Sequence, residues 1–222
     1  MRTLAVLPVK TFTAAKGRLA DRLGAGGRAE LAEAMLGDVL DALAAAHELD
    51  GVAVVTAEPR AAAAALAAGA MVVADREQAG QSAAAVLGVA QALRHAADRV
   101  LLVPGDTPLL CSGEVDDLLR RSRDAGTGVT IVPDRHGTGT NALLLAPADA
   151  IAPSFGPGSC ARHLGAAEAA AVRHAVERVA GLEHDVDTPE DLTALAARLN
   201  RADPAVARRT RTTAALSAAT GS

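Results

Sequence analysis

Tryptophan and tyrosine are absent from this 222-residue chain, and phenylalanine occurs only as Phe12 and Phe155. A core without large rings must be packed from aliphatic side chains and alanine, and recognition of bases by stacking on aromatic platforms has almost nothing to rest on. Cysteine is equally scarce. Cys111 and Cys160 stand far apart and in no metal-ligand spacing, which leaves no zinc site, room for one bridge at most, and a reducing cytoplasm as the economical setting. Excess positive charge is missing too: the formal net charge is -4, so neither nucleic acid nor an anionic membrane is an expected partner. The opening Met1-Arg2-Thr3-Leu4-Ala5-Val6-Leu7-Pro8 is too short in its apolar run for a signal peptide or a spanning helix. Together these absences favour a small polar ligand.

What is present is a regular alternation of short aliphatic runs with longer helical patterns, the signature of an α/β chain with a mostly parallel sheet covered by helices. Strands are expected at Leu4 to Leu7, Val52 to Thr56, Met71 to Ala74, Val100 to Val103, Val129 to Val132, Ala142 to Leu145 and Ala171 to Ala175. Their apolar continuity implies burial on both faces. Leu31, Met35, Val39 and Leu43, widened by Leu36 and Leu40, mark one face of an amphipathic helix. Val86, Val89 or Ala90, Leu93 and Ala97 suggest a second such face, and Val115, Leu118, Leu119 and Ser122 a third. A last helix should start at Thr188-Pro189-Glu190-Asp191, with Thr188 as cap, Pro189 in the first turn and Asp191 completing a capping box. Residues 1–200 read as one domain; 203–222 lack a sustained apolar face and are expected to be a disordered tail.

In open α/β sheets ligands collect at the carboxyl ends of the strands, and four polar stretches occupy such positions. Asp106, in Val103-Pro104-Gly105-Asp106-Thr107-Pro108, follows the most apolar strand; its carboxylate can bind Mg²⁺ or simply close a turn. Asp185 and Asp187 are two apart and would point to one side of an extended segment, where they can share a metal with Asp106. Asp187 alone could also serve the helix that follows by meeting its dipole. Lys10, Lys16 and Arg18 lie in a basic loop after the first strand and could gather a triphosphate or be merely solvated; no P-loop is present. Asp134-Arg135-His136-Gly137-Thr138-Gly139-Thr140-Asn141 and Ser154-Phe155-Gly156-Pro157-Gly158-Ser159 are Gly-rich turns whose amides and hydroxyls suit a phosphate or carboxylate, although turns need no ligand. The histidines show no zinc spacing, so His163, like His136, His174 and His184, is expected to serve surface or core.

In their order along the chain, Ala15-Lys16-Gly17-Arg18-Leu19, Leu31 to Leu40, Pro104-Gly105-Asp106-Thr107-Pro108, Gly139-Thr140-Asn141-Ala142-Leu143, Phe155 to Ser159 and Asp185-Val186-Asp187-Thr188-Pro189-Glu190-Asp191-Leu192 resemble the guanylyltransferases of deazaflavin coenzyme F-420 biosynthesis, over about residues 3 to 200. The resemblance implies a three-layer, mixed but mostly parallel sheet with a Rossmann-like first half, the GT-A-like nucleotidyltransferase fold. It implies transfer of GMP from GTP to phosphoenolpyruvate or 2-phospho-L-lactate with release of pyrophosphate. By the same resemblance, Thr140, Gly156 and Ser159 would bind the acceptor acid, Asp106, Asp185 and Asp187 would hold Mg²⁺, and Lys10, Lys16 and Arg18 would engage the GTP phosphates, with Lys16, Arg18 and Asp106 serving catalysis. Gln81 and Ser82 would lie near the nucleoside. Members often carry Ser or Thr where this chain has Gly17, which removes one hydroxyl contact to GTP.

The acceptor phosphate is largely ionised near neutral pH, so the expected reaction is direct attack on the α-phosphorus of GTP without a protein base. Alternatives within the fold are a molybdopterin guanylyltransferase and a cytidylyltransferase for a sugar or polyol phosphate; outside enzymology, a binding protein that kept the fold. The excess of Ala and Arg fits a GC-rich genome and tilts the acceptor towards phosphoenolpyruvate. The labile product suggests hand-over to a downstream deazaflavin transferase, and an exposed side of the sheet is where a homodimer would form.

Overall fold

The computed structural model describes residues 1–12, 17–20, 22–201 and 210–220, with 200, 201 and 217–220 described by backbone alone. Among the described residues seven strands form one sheet: β1 (Thr3–Val9), β2 (Gly51–Thr56), β3 (Met71–Ala74), β4 (Arg99–Leu102), β5 (Val129–Pro133), β6 (Thr140–Leu145) and β7 (His174–Val176). Their order is β3-β2-β1-β4-β6-β5-β7. All pairs are parallel except those of β6, which runs antiparallel to β4 and β5. The helices are α1 (Ala25–Ala44), α2 (Pro59–Ala67), α3 (Gln81–Arg94), α4 (Ser112–Asp124), α5 (Ser159–Ala169), α6 (Pro189–Arg201) and α7 (Arg211–Thr220).

Strand alternation sorts the aliphatic residues onto two faces. Ala5, Leu7, Val54, Leu101 and Leu144 pack under α1, α2 and α4. Leu4, Val6, Val55, Leu102 and Leu143 pack under α3 and α5. This is the expected three-layer sandwich, with both faces of the central strands dry. Among the described residues no bare sheet face is left for a homodimer; Val72 on the edge strand β3 and Val176 on the opposite edge are exposed instead.

Three expectations need correction. The stripe predicted on α3 is only half right: Val89 and Ala97 are buried as expected, but Val86 and Leu93 are exposed, and Ala84, Ala85, Gly88 and Ala92 complete the buried face. The cause is a close approach of helix to sheet: a Cβ at Gly88 would lie 2.2 Å from Val6 Cγ1 and 3.0 Å from Val55 Cγ2. Only small side chains fit that face, so the larger ones turn to solvent. The last strand is His174–Val176 rather than Ala171 to Ala175. Residues before it finish α5, where Ala171 adopts φ +53° and Val172 N–H bonds back to Ala167.

The third correction concerns the tail. Residues 203–209, 221 and 222 lie outside the described residues, but Arg211–Thr220 form a helix docked on α1. Asp38 caps its start, accepting from Arg211 N–H at 2.8 Å and Thr212 N–H at 2.9 Å, and the Arg211 guanidinium reaches both Asp41 oxygens at 3.2 Å. Leu216 joins a small core of Leu19, Leu31, Met35, Val186, Leu195 and Leu199. The cap comes from a distant helix, which is why local composition did not announce it. The alanine-rich α2 escaped the hydrophobic pattern for a related reason: its buried Ala61 and Ala65 look like its exposed alanines. No described helix is long and apolar enough to cross a membrane.

The contact at Gly88 sets two effects against each other. Gly88→Ala improves helix propensity by about 1 kcal/mol, yet inserts a methyl far inside van der Waals distance of Val6. Overpacking costs about 1–3 kcal/mol, so thermal denaturation should show a lower Tm for this variant; an unchanged or higher Tm would mean that α3 can lift off the sheet freely.

Candidate active site at the carboxyl edge of the sheet

Strands β1, β4 and β5 end at one edge of the sheet, and because β6 runs against β4 and β5 it begins there. Lys10, the turn of Asp106, the loop from Asp134 and Thr140 are thereby brought to the same edge. Lys10 is exposed where the chain leaves β1, and Arg18 is exposed in the short 3-10 turn Gly17–Leu19. Lys16 lies outside the described residues. The first turn of this basic loop is anchored by Glu58, a buried residue capping α2, whose Oε2 accepts from Phe12 N–H at 2.9 Å. The Arg60 guanidinium stacks 5.9 Å from the centroid of the Phe12 ring.

The Asp106 turn packs tightly through Gly105, where a Cβ would meet Leu36 at 3.2 Å and Val9 at 3.4 Å. Asp106 is half-buried, and the neighbouring Thr107 hydroxyl is fully buried with no hydrogen bond. Segment 180–188 is drawn against this turn by Gly181, since a Cβ there would fall 2.7 Å from Leu110 Cα and 2.8 Å from the Leu109 carbonyl. Glu114 on α4 accepts from Gly181 N–H at 2.9 Å, and Asn141 on β6 donates to the Leu182 carbonyl at 2.6 Å. Asn141, read from sequence as part of an anion turn, is thus a strap.

Val186 is buried between the half-buried Asp185 and Asp187, as an extended segment requires, so the two carboxylates share the other side. The capping box forms as expected: Asp191 accepts from Thr188 N–H at 2.8 Å and donates its own N–H to Thr188 Oγ1 at 3.2 Å. Asp191 also accepts from Asp187 N–H at 3.0 Å and pairs with Arg135 at 2.5 Å. Burial pushes the Asp191 carboxyl up, but these amides, the Thr188 hydroxyl and Arg135 outweigh it and hold it below the usual carboxylate range. Asp185 is shifted the other way. Burial raises its pKa, and the carboxylates of Asp106 and Asp187 raise it further. The three acids named from sequence therefore lie within electrostatic reach of one another. Among the described residues, however, no three His, Cys, Asp or Glu side chains are drawn close enough to enclose a metal ion. The oxygen-only donors suit Mg²⁺, and a cation would relieve the repulsion that lifts Asp185.

Across the edge, Thr140 and Ser159 are both buried. Ser159 opens α5, its hydroxyl carries no hydrogen bond, and Gly158 before it holds φ +72° while Gly156 holds φ +103°. Arg162 staples this loop from outside, donating to the carbonyls of Ser154 at 3.0 Å, Phe155 at 3.1 Å and Pro157 at 2.5 Å. From inside, His163 bonds both Thr140 and Ser154. Ser82, at the head of α3 beside the exposed Gln81, accepts from Phe155 N–H at 2.9 Å, so these two residues abut the loop of Gly156 and Ser159. Sequence reasoning missed the roles of Glu58, Arg135, Arg162 and His163: Glu58 holds a distant main-chain N–H, Arg135 a distant carboxylate, and Arg162 and His163 groups of the preceding loop together with Thr140, in patterns that no local spacing encodes. Cys111 and Cys160 are both free thiols.

Residues 3–200 match the family model described as "Guanylyl transferase CofC like". The chain belongs to this family. A phosphoenolpyruvate guanylyltransferase of Conexibacter woesei is 50% identical over 195 residues, spanning 88% of this chain and 87% of that one. A 3-phospho-D-glycerate guanylyltransferase of Phenylobacterium zucineum is 41% identical over 198 residues, spanning 86% and 88%. Among solved structures, a Desulfovibrio desulfuricans G20 protein assigned to the nucleotide-diphospho-sugar transferases superposes with a TM-score of 0.76 at 19% identity, covering 100% of this chain and 96% of the other. That likeness establishes the GT-A-like nucleotidyltransferase fold. Membership of the family makes the protein a nucleotidyltransferase, and α7 lies beyond the matched region.

The raised pKa of Asp185 has a consequence for stability. A carboxyl whose folded pKa exceeds its unfolded value contributes stability that is present below the unfolded pKa and lost as pH rises through the folded one. In chelator at pH 7, Asp185→Asn should therefore raise Tm by about 2–4 °C, the response of a domain of this size to about 1 kcal/mol. The gap to wild type should close as pH falls below about 4. A lower Tm at pH 7 would show that the ionised carboxylate gains more from its surroundings than it loses to Asp106 and Asp187.

Proposed function

We propose that this protein transfers GMP from GTP to phosphoenolpyruvate, releasing pyrophosphate, as the guanylylating step of coenzyme F-420 assembly in the cytoplasm. The observation that carries the reading is the buried, unpartnered hydroxyl of Ser159 at the start of α5, next to two left-handed glycine turns. A helix N-terminus with an uncommitted buried donor is a site made for an anion. Thr140, Gly156 and Ser159 hold the acid in this reading. Lys10, Lys16 and Arg18 gather the GTP phosphates, and Gln81 and Ser82 border the nucleoside.

In the reaction an oxygen of the acceptor phosphate attacks the α-phosphorus, a new phosphoanhydride bond forms, and the bond to pyrophosphate breaks. The attacking oxygen is already ionised, so no side chain has to remove a proton. The work of the chain is to hold two polyanions in line and offset their repulsion. Asp106, Asp185 and Asp187 would bind Mg²⁺, which when present neutralises charge building on the phosphate oxygens. The product is labile, which favours direct hand-over to the transferase that consumes it.

The Phenylobacterium relative supports a second reading in which the acceptor is 3-phospho-D-glycerate; 2-phospho-L-lactate is a third acid of the same class. Pyrophosphate release should be measured with GTP, Mg²⁺ and each acid in turn. Turnover is expected with phosphoenolpyruvate; turnover confined to another acid would reassign the acceptor, and turnover with CTP alone would reject the guanylyl reading. Asp106→Asn should lower kcat about a hundredfold or more while far-UV circular dichroism stays unchanged. Near-normal turnover by that variant would sink the role given to Asp106.

A further inference from the structure

His163 is fully buried on α5, and the reaction described above gives it no role. Its Nε2 accepts the backbone N–H of Ser154 at 2.9 Å, and its Nδ1 lies 3.0 Å from Thr140 Oγ1. A nitrogen that accepts an amide hydrogen carries no proton of its own, so the neutral ring must bear its hydrogen on Nδ1. Thr140 Oγ1 is then the acceptor in that bond. Its own hydrogen is consequently free to be donated elsewhere, and with the ring occupying one side of the oxygen its direction is restricted.

We infer that His163 is a positioning residue for acceptor binding, fixing the Thr140 hydroxyl as a donor aimed at the anionic group of the phosphorylated acid. The inference rests on the reading of Thr140 and Ser159 as ligands of that acid. A threonine in water can offer either its hydrogen or its lone pairs, and half of that choice is useless to an anion. The Nδ1–H of His163 saturates a lone pair and leaves the donor. Ser159, buried and uncommitted, supplies the second hydroxyl.

Three further observations support the assignment. Phe155 meets the imidazole edge-on, with centroids 5.4 Å apart and planes at 75°, which fixes the ring plane. Burial, with a smaller contribution from the Arg162 charge, lowers the His163 pKa to about 4, so the ring stays neutral and the tautomer constant across ordinary working pH. The same ring secures Ser154, and Arg162 next to it holds the carbonyls of Ser154, Phe155 and Pro157. Two consecutive residues of α5 thus fix both the loop of Gly156 and the Thr140 hydroxyl.

The test exploits two amides that each mimic one ring nitrogen. Asparagine places an N–H donor near the position of Nδ1, whereas glutamine reaches the position of Nε2. His163→Asn, His163→Gln, Thr140→Val and the double variant His163→Gln/Thr140→Val should be compared by steady-state kinetics with GTP and phosphoenolpyruvate, each checked for Tm. Loss of a hydrogen bond to a charged group predicts that His163→Gln and Thr140→Val each raise the acceptor KM about ten- to a hundredfold with the GTP KM unchanged. His163→Asn should remain within about threefold of wild type, and the double variant should be no worse than Thr140→Val alone, because both changes remove one interaction. Equal impairment of the Asn and Gln variants, or additive losses in the double variant, would reduce His163 to a structural residue and overturn the inference. If Thr140→Val raises the acceptor KM while His163→Gln does not, the inference alone fails. If Thr140→Val leaves that KM unchanged, the acceptor site itself has been misplaced and both readings fall.

Discussion

The approach of segment 180–188 to the turn 104–111 is the contact on which the site depends, and Gly181 is what permits it. With backbone atoms of Leu109 and Leu110 inside 3 Å of where a Cβ would stand, any larger residue would hold the two segments apart. The approach leaves Asp185 partly buried and among like charges, and burial first, then the carboxylates of Asp106 and Asp187, raise its pKa. Such a cluster would spread if left to itself. It is restrained from several directions: by Glu114 and Asn141 before it, by Asp191 and its partner Arg135 after it, and by Val186 buried in the small aliphatic core beneath.

That small core ties distant parts of the chain to the carboxylates. Leu19 comes from the basic loop, Leu31 and Met35 from α1, Leu195 and Leu199 from α6, and Leu216 from α7 packs against them. The docked C-terminal helix therefore shares a core with both the cationic loop and Val186, although it lies beyond the region that defines the family. On the other side of the edge the logic is hydrogen bonding. His163 and Arg162 hold the loop before α5, Ser82 accepts from it, and the Ser159 hydroxyl is left buried without a partner.

Much of this was legible in the residue pattern, and the exceptions have identifiable causes. Six of the seven strands follow from aliphatic runs bounded by turn residues, and α1 from its four-residue recurrence. The α3 face was half misassigned because periodicity counts large side chains, whereas the sheet approached so closely at Gly88 that only small ones fit. The helix α7 was read as tail because its cap and its packing partner both lie on α1. Among site residues, the acids, the hydroxyls and the glycines stood out by type and place. Glu58, Arg135, Arg162 and His163 did not, since their partners are main-chain groups or side chains that no local spacing encodes.

The succession of strands, the burial of the central strands and the identity of the candidate carboxylates were determined by the sequence itself, because each is a property of local periodicity or of a residue's position after a strand. The tertiary structure alone decided which of those residues meet. An antiparallel β6 turns Thr140 to the same edge as Asp106, a glycine lets Asp185 close on it, and a buried imidazole commits a hydroxyl to donation. Those are outcomes of distances between segments separated by tens of residues, and distance across a fold is not written in any single stretch of chain.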